Sequence, residues 1–114
     1  MSTLKVQTLQ NSAGVEVYTC KAWVNFNGTG TVAIRASGNV SSITDNGTGD
    51  YTVNFTTALP DGNYSLFIGR TVDLSAYTGG GISALTTTTA RILPQRDTSG
   101  NNVDMSIACV SIFR

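Results

Sequence analysis

Apolar and polar residues alternate along most of this chain, which is the period of a β-strand that buries one side. The clearest segment runs from Val17 to Phe26. One side of it is predicted to face a core, and that side carries Tyr18, Cys20, Ala22, Val24 and Phe26. Trp23 falls on the opposite side, among polar residues. Nowhere does the spacing of apolar residues indicate an amphipathic helix.

Residues 40–44 and 51–57 form the strongest hairpin signal, because they flank the turn sequence DNGTGD at residues 45–50. Asn and Gly tolerate the positive φ that hairpin turns require. Residues 64–72 predict a further strand. The segment 103–113 becomes apolar on both faces towards its end, which indicates a central or doubly covered strand.

The pattern fails between Asp73 and Gly81, and the glycines at 79–81 predict a mobile loop there. A threonine-rich strand is expected over residues 82–93. With residues 4–9 included, the chain contains about eight strands and no helix of more than one turn. This predicts an antiparallel β-sandwich or a jelly-roll-like domain.

The chain has 114 residues, the size of one domain. Its 17 Thr, 11 Ser, 9 Asn and 12 Gly replace charged residues, which make up only 12% against about 25% in an average protein. The hydrophobic content of 40% argues against disorder. We divide the chain into an N-terminal linker strand at residues 1–14 and the β-sandwich at residues 15–114.

The net charge is zero, and the seven Lys and Arg are scattered. Nucleic-acid binding needs a basic face, so no nucleic-acid partner is expected. The chain contains no run of about 18 apolar residues, so membrane insertion is not expected. The first residues lack the apolar core of a secretory signal, which predicts synthesis in a cytoplasm. Glycosylation is therefore not expected at the five Asn-x-Ser/Thr sequences, which begin at Asn27, Asn39, Asn46, Asn54 and Asn63.

Histidine is absent, and with it the commonest general base and metal ligand. Asp45 and Asp50 flank the hairpin turn and could bind a cation or act as a carboxylate pair, but Asp in turns more often caps backbone N–H groups. We predict no enzyme activity, no metal and no cofactor. Cys20 and Cys109 are expected to be buried thiols, and a disulfide between them stays open at this stage.

Two features of the sequence are not accounted for by a monomeric sandwich. Trp23 on a polar strand face indicates an interface or a sugar-stacking platform. The N-terminal segment carries apolar Leu4, Val6 and Leu9 and could pack against copies of itself around a three-fold axis. Together these four residues predict the interface of a closed homo-oligomer.

Three stretches resemble a known family: LKVQTLQNSAG at residues 4–14, KAWVNFNGTGTVAIR at residues 21–35 and VSSITDNGTGDYTVNF at residues 40–55. The last two resemble the C-terminal domain of tail fibre proteins of marine, cyanophage-like bacteriophages. The first resembles the linker before that domain. The resemblance covers residues 4 to about 65, and beyond Leu66 it follows only the general strand–turn pattern.

The resemblance implies a homotrimeric fibre tip on the virion that binds a host surface glycan or protein and contacts other tail proteins. No ligand residues transfer with it. For receptor binding we select the irregular loop from Arg70 to Gly81, where Arg70, Asp73 and Tyr77 offer stacking and hydrogen bonding. The alternatives are a structural virion module without a ligand and, more weakly, a small lectin-like enzyme domain.

Overall fold

The computed structural model of the chain describes residues 3, 8–71 and 77–114, with backbone only at 77–79. This part of the chain forms eight β-strands and no helix. The strands are β1 (Cys20–Asn27), β2 (Ala33–Gly38), β3 (Val40–Gly47), β4 (Asp50–Phe55), β5 (Ser65–Arg70), β6 (Tyr77–Leu85), β7 (Thr89–Asp97) and β8 (Ala108–Phe113).

The strands form two four-stranded sheets. The order is β2-β1-β8-β5 in the first sheet and β3-β4-β7-β6 in the second, and every neighbouring pair is antiparallel. The predicted all-β antiparallel architecture is confirmed, and it is consistent with a β-sandwich. The central position expected for the last strand is confirmed as well, because β8 lies between β1 and β5.

The core lies between the two sheets and is built by the alternation that the sequence displays. Each of β1, β4 and β8 buries every second side chain. The largest buried side chains come from both sheets and include Val24, Phe26 and Ile112 from the first, and Tyr51, Val53 and Ile92 from the second. The Phe26 and Tyr51 rings meet edge to face at 5.1 Å, so aromatic packing joins the two sheets near the end of β1.

A single residue carries the chain from the first sheet to the second. Asn39 separates β2 from β3 and has a φ of 55°, a conformation in which Asn is tolerated better than most residues. Its amide nitrogen donates to the carbonyls of Lys21 and Thr57 at 3.2 and 3.1 Å. Its amide oxygen accepts the Thr57 N–H at 2.7 Å. The side chain thus holds the crossover by three hydrogen bonds.

A buried polar junction fastens the segment before β8 to two turns. The Tyr51 hydroxyl lies 2.8 Å from the Gly28 carbonyl oxygen and 3.0 Å from Asp104 Oδ1. The same Asp104 oxygen accepts the Gly49 N–H at 2.7 Å, and Gly28 N–H donates to the Met105 carbonyl at 2.8 Å. Burial, and then the Asp104 hydrogen bond, raise the pKa of Tyr51 far above its usual range, so the phenol stays protonated and remains a donor.

Two predictions about the second sheet are wrong. Residues 79–81, expected in a mobile loop, belong to β6 and pair with β7. A Cβ at Gly80 would collide with the Leu93 carbonyl, so the backbones approach too closely for a larger residue. The predicted continuous strand over 82–93 is interrupted by a turn at Thr86, whose hydroxyl oxygen accepts the N–H groups of Thr88 and Thr89 at 3.3 and 3.0 Å.

Candidate interaction surfaces

The outer face of the first sheet is apolar at its centre. We call it the Trp23 face and define it by the outward residues of β1, β5 and β8 that line an open groove of about 440 Å³: Trp23, Asn25, Phe67, Gly69, Cys109 and Ser111. Trp23 is 44% exposed and Phe67 is 60% exposed. Large exposed aromatic residues grouped on one face indicate an interaction surface.

Small residues on neighbouring strands shape this face. Trp23 pairs with Gly38 on β2 and with Ser111 on β8. A Cβ at Gly38 would collide with the indole nitrogen and lie 2.8 Å from indole Cδ1. The indole therefore lies against β2 where no side chain stands in its way. Phe67 packs edge to face on Phe113 at 6.2 Å. This contact holds the Phe67 ring in place on the same surface as the Trp23 indole.

The first sheet carries no carboxylate. None of its four strands contains Asp or Glu, and their charged residues are Lys21, Arg35 and Arg70. Arg35 lies at the β2 edge, where it donates to Asn25 Oδ1 at 3.1 Å and to the Ser106 carbonyl at 2.5 Å. The centre of the Trp23 face is consequently uncharged, as the buried part of an interface requires.

The outer face of the second sheet is different, because its polar side chains bind one another. Asn54 donates to the hydroxyls of Ser42 and Thr44 at 3.1 and 2.9 Å. Asn46 donates to the Thr52 hydroxyl at 2.7 Å. Threonine, serine and asparagine on this face form a hydrogen-bonded ladder suited to water.

Two bidentate ion pairs lie at the surface. Arg91 binds both carboxylate oxygens of Asp50 at 2.9 and 2.6 Å, and Arg114 binds those of Asp61 at 2.9 and 2.7 Å. The hydrogen bond from Arg91 lowers the pKa of Asp50. That from Arg114 lowers the pKa of Asp61 to about 2. Asp45 caps its own turn by accepting the Gly47 N–H at 3.1 Å, which confirms the turn interpretation of that residue.

These ion pairs predict how stability depends on pH. The folded pKa values lie below the ordinary value of 3.8, so the unfolded chain binds more protons between about pH 4 and pH 2. We expect urea midpoints that are level from about pH 5 to pH 7 and that fall below about pH 4. Asp61→Asn is the control and should fall less steeply. A midpoint that rises on acidification would contradict the assignment.

The described residues before β1 form a small arm, and none of them belongs to the buried core. Gln10 and Glu16 form an antiparallel bridge, and Asn11 closes the turn between them by accepting two backbone N–H groups at 2.9 and 3.1 Å. Residues 12–14, between the two bridged residues, form this turn. Leu9 is 43% exposed, whereas Leu4 and Val6, its predicted partners in the interface, lie outside the described residues.

The prediction about the first strand needs a correction. Tyr18 and Cys20, expected in the core with Ala22, are exposed, because β1 begins only at Cys20 and its register with β8 shifts before Ala22. Cys109 is half-buried on the Trp23 face and both thiols are free. Cys109 pairs with Asn25, five residues from Cys20, which at about 3.3 Å per residue is roughly 16 Å and too far for a disulfide.

Of the residues selected for receptor binding, only the side chain of Arg70 is described. Its guanidinium donates to the Pro94 carbonyl at 2.8 Å, which ties β5 to the second sheet. Asp73 lies outside the described residues, and Tyr77 opens β6. The Arg70 side chain is thus already engaged within the domain, while the roles of Asp73 and Tyr77 stay predictions.

A second hollow of about 250 Å³ lies where β5 begins and β8 ends. Tyr18, Asn63, Ser65, Phe113 and Arg114 line it. Within the part of the chain that the structure describes, no three His, Cys, Asp or Glu side chains lie together in a way that could hold a metal ion. The same residues contain no helix with the length and hydropathy needed to cross a membrane.

The chain was compared with known proteins in three ways. A scan against protein-family models, a search of curated proteins and a search of solved structures each found no match.

Proposed function

We propose that this chain is the distal domain of a homotrimeric viral tail fibre that binds a glycan or protein on the host surface. The resemblance of residues 4–65 to phage tail fibre domains supports the assignment to a virion. The observation that carries the assembly is the Trp23 face, an aromatic surface on a sheet without carboxylates.

Exposure of these rings to water has a free-energy cost that assembly removes. Phe67 leaves 60% of its surface in contact with water. For a residue of about 200 Å² this is roughly 120 Å², worth about 3 kcal/mol on burial. Trp23 adds a comparable contribution. Three copies that share this face would bury six rings, and their uncharged surroundings impose little desolvation cost.

Receptor binding falls to the surfaces that assembly leaves free. Loops at the end of a rigid sandwich commonly carry recognition, and residues 71–76 connect β5 of the first sheet to β6 of the second. We assign Asp73 and Tyr77 to receptor contact. Arg70 has a supporting role, since its bond to Pro94 anchors the start of the segment.

A structural module without a ligand is the second candidate. The observation in its favour is the ladder on the second sheet, where Asn46 and Asn54 direct their amide donors to neighbouring side chains. A face with its hydrogen bonds made internally offers little to a saccharide. A trimerisation or folding cap of a fibre needs no ligand-binding groups, so such a face is compatible with that role.

An array of immobilised bacterial surface polysaccharides separates the two candidates. Labelled wild-type protein is expected to bind a subset of the array, and Tyr77→Ala is expected to lose that binding while it keeps its oligomeric mass. Ile82→Ala is the control, an exposed residue further along β6. Signals at background for the wild type would favour the structural module. Binding that Tyr77→Ala retains would rule out the assignment of Tyr77 to receptor contact.

A further inference from the structure

The arm before β1 is an amphipathic hairpin. Val17 N–H donates to the Leu9 carbonyl and Asn11 N–H donates to the Val15 carbonyl, at 2.6 and 2.9 Å. Since neighbours along a strand point to opposite sides, Leu9, Val15 and Val17 share one side of the hairpin. The bridged pair Gln10 and Glu16 occupies the other side. The first side is apolar apart from Asn11, whose side chain caps the turn, and the second side is polar apart from Tyr18 at its end.

The apolar side of the arm is only partly covered by the described residues of its own chain. Leu9, Val15 and Val17 are 43%, 58% and 41% exposed. An isolated two-stranded hairpin is marginally stable in water, so a partner surface on this side would stabilise it. The groove of about 440 Å³ on the Trp23 face is an apolar surface that no described residue covers.

The charges of the two surfaces agree with such a contact. The arm from Thr8 to Tyr18 contains one charged residue, Glu16, and the strands of the Trp23 face contain only cations. Glu16 lies on the polar side of the hairpin, so it stays in water when the apolar side is buried. The contact brings opposite net charges together and buries no carboxylate.

The Trp23 face has a small planar footprint. Four strands about 4.8 Å apart, with about six residues each at about 3.3 Å, project roughly 400 Å². A standard interface buries about 800 Å² of accessible surface per partner. The partly exposed arm is a second apolar surface that adds to the area available for contact.

We propose that the arm of one copy, residues 8–18, docks its apolar side in the groove of the Trp23 face of the next copy. Arm and groove are two different patches on each chain, so the contact is heterologous and generates a ring when the rotation closes. This contact rests on the proposed trimer and specifies how it closes: each chain gives one arm and receives one.

Native Cys109 in the groove provides the test, because it can be cross-linked to cysteines placed in the arm. In a Cys20→Ser background of the full chain, cysteines are introduced one at a time on the apolar side, as Leu9→Cys, Val15→Cys and Val17→Cys. Gln10→Cys and Glu16→Cys are the matched controls on the polar side. Each protein is treated with a short bis-maleimide and resolved by denaturing electrophoresis.

The apolar-side variants are expected to give linked dimers and trimers about ten times faster than the polar-side controls, because cross-linking requires close approach of the two thiols. Equal rates on both sides would overturn the proposal. Cross-linking within single chains would overturn it too, since the arm would then occupy the groove of its own copy.

Light scattering on the same samples separates this inference from the proposed function. A trimeric mass without links between chains contradicts the arm contact and leaves the fibre assembly standing. A mass of 12.0 kDa, that of one chain, contradicts both.

Discussion

Phe67→Asp is expected to turn a trimer of about 36 kDa, three chains of 12.0 kDa, into monomers at micromolar concentration. Phe67 stands 60% exposed on the outer face of β5. In the assembly that we propose, aspartate at this position would be buried without a partner. Arg35 and Arg70 of the same sheet already bind other groups within the domain, and Lys21 lies on β1, two strands away from β5. A buried unpaired charge costs about 3–5 kcal/mol, which weakens association by roughly a hundredfold or more.

Ala84→Asp is the matched control. Ala84 is exposed on β6 and pairs with Arg91, so the variant adds the same charge to the outer face of the other sheet. Multi-angle light scattering of this variant should give the wild-type mass. A wild-type mass of one chain, or a Phe67→Asp variant that stays trimeric, would refute an interface on the Trp23 face.

Gly49→Ala is expected to be the most destabilising of the glycine substitutions in the hairpin turns. Gly49 has a φ of 62°, and a Cβ there would lie 2.5 Å from the backbone nitrogen of Val103 and 2.6 Å from its carbonyl oxygen. Both neighbours are backbone atoms, so relief requires movement of the segment that carries Asp104. We expect a loss of about 3–5 kcal/mol from left-handed strain and overpacking together.

Gly30→Ala isolates the contribution of the clash. Gly30 has a φ of 59°, and a Cβ added there would have no other atom within 4 Å, so the variant should lose only the conformational part, about 1–2 kcal/mol. At about 4 °C per kcal/mol, melting temperatures should fall by roughly 4–8 °C for Gly30→Ala and by roughly 12–20 °C for Gly49→Ala. Equal losses of stability in the two variants would mean that the Val103 segment moves away from the added Cβ without a cost in free energy.

Alternation in the sequence predicts the parts of the fold in which each strand buries one side. Val24 and Phe26 face the core as expected, and Trp23 lies on the outer face that its polar neighbours indicated. The prediction fails at Tyr18 because alternation continues beyond the point where the strand begins. Periodicity shows which side a residue faces, but the length of a strand depends on its partner.

Glycine and threonine mislead prediction from the sequence for opposite reasons. Residues 79–81 have low strand propensity, yet they pair with β7 because the close approach at Gly80 admits no side chain. Thr86 to Thr89 have high strand propensity, yet the Thr86 hydroxyl binds backbone N–H groups and forms a turn. Tertiary contact decides both cases, and neither contact is visible in the local sequence.

The Trp23 face could be predicted only in part. The misplaced tryptophan indicated an interface, but Phe67 and Cys109 could not be assigned to it. They join Trp23 because β8 lies between β1 and β5, a pairing of strands more than 35 residues apart in sequence. A single residue could therefore be found from the sequence, whereas its neighbours required the sheet order.

The hydrogen bonds of the asparagine side chains have a consequence for how this protein should be produced. Asn39, Asn46 and Asn54 each begin an Asn-x-Ser/Thr sequence, and each uses its amide nitrogen as a donor in the fold. In a eukaryotic secretory pathway, an oligosaccharide attached to that nitrogen would remove donors from the crossover and from the ladder. Expression in a bacterial cytosol leaves all three amides free to form these bonds.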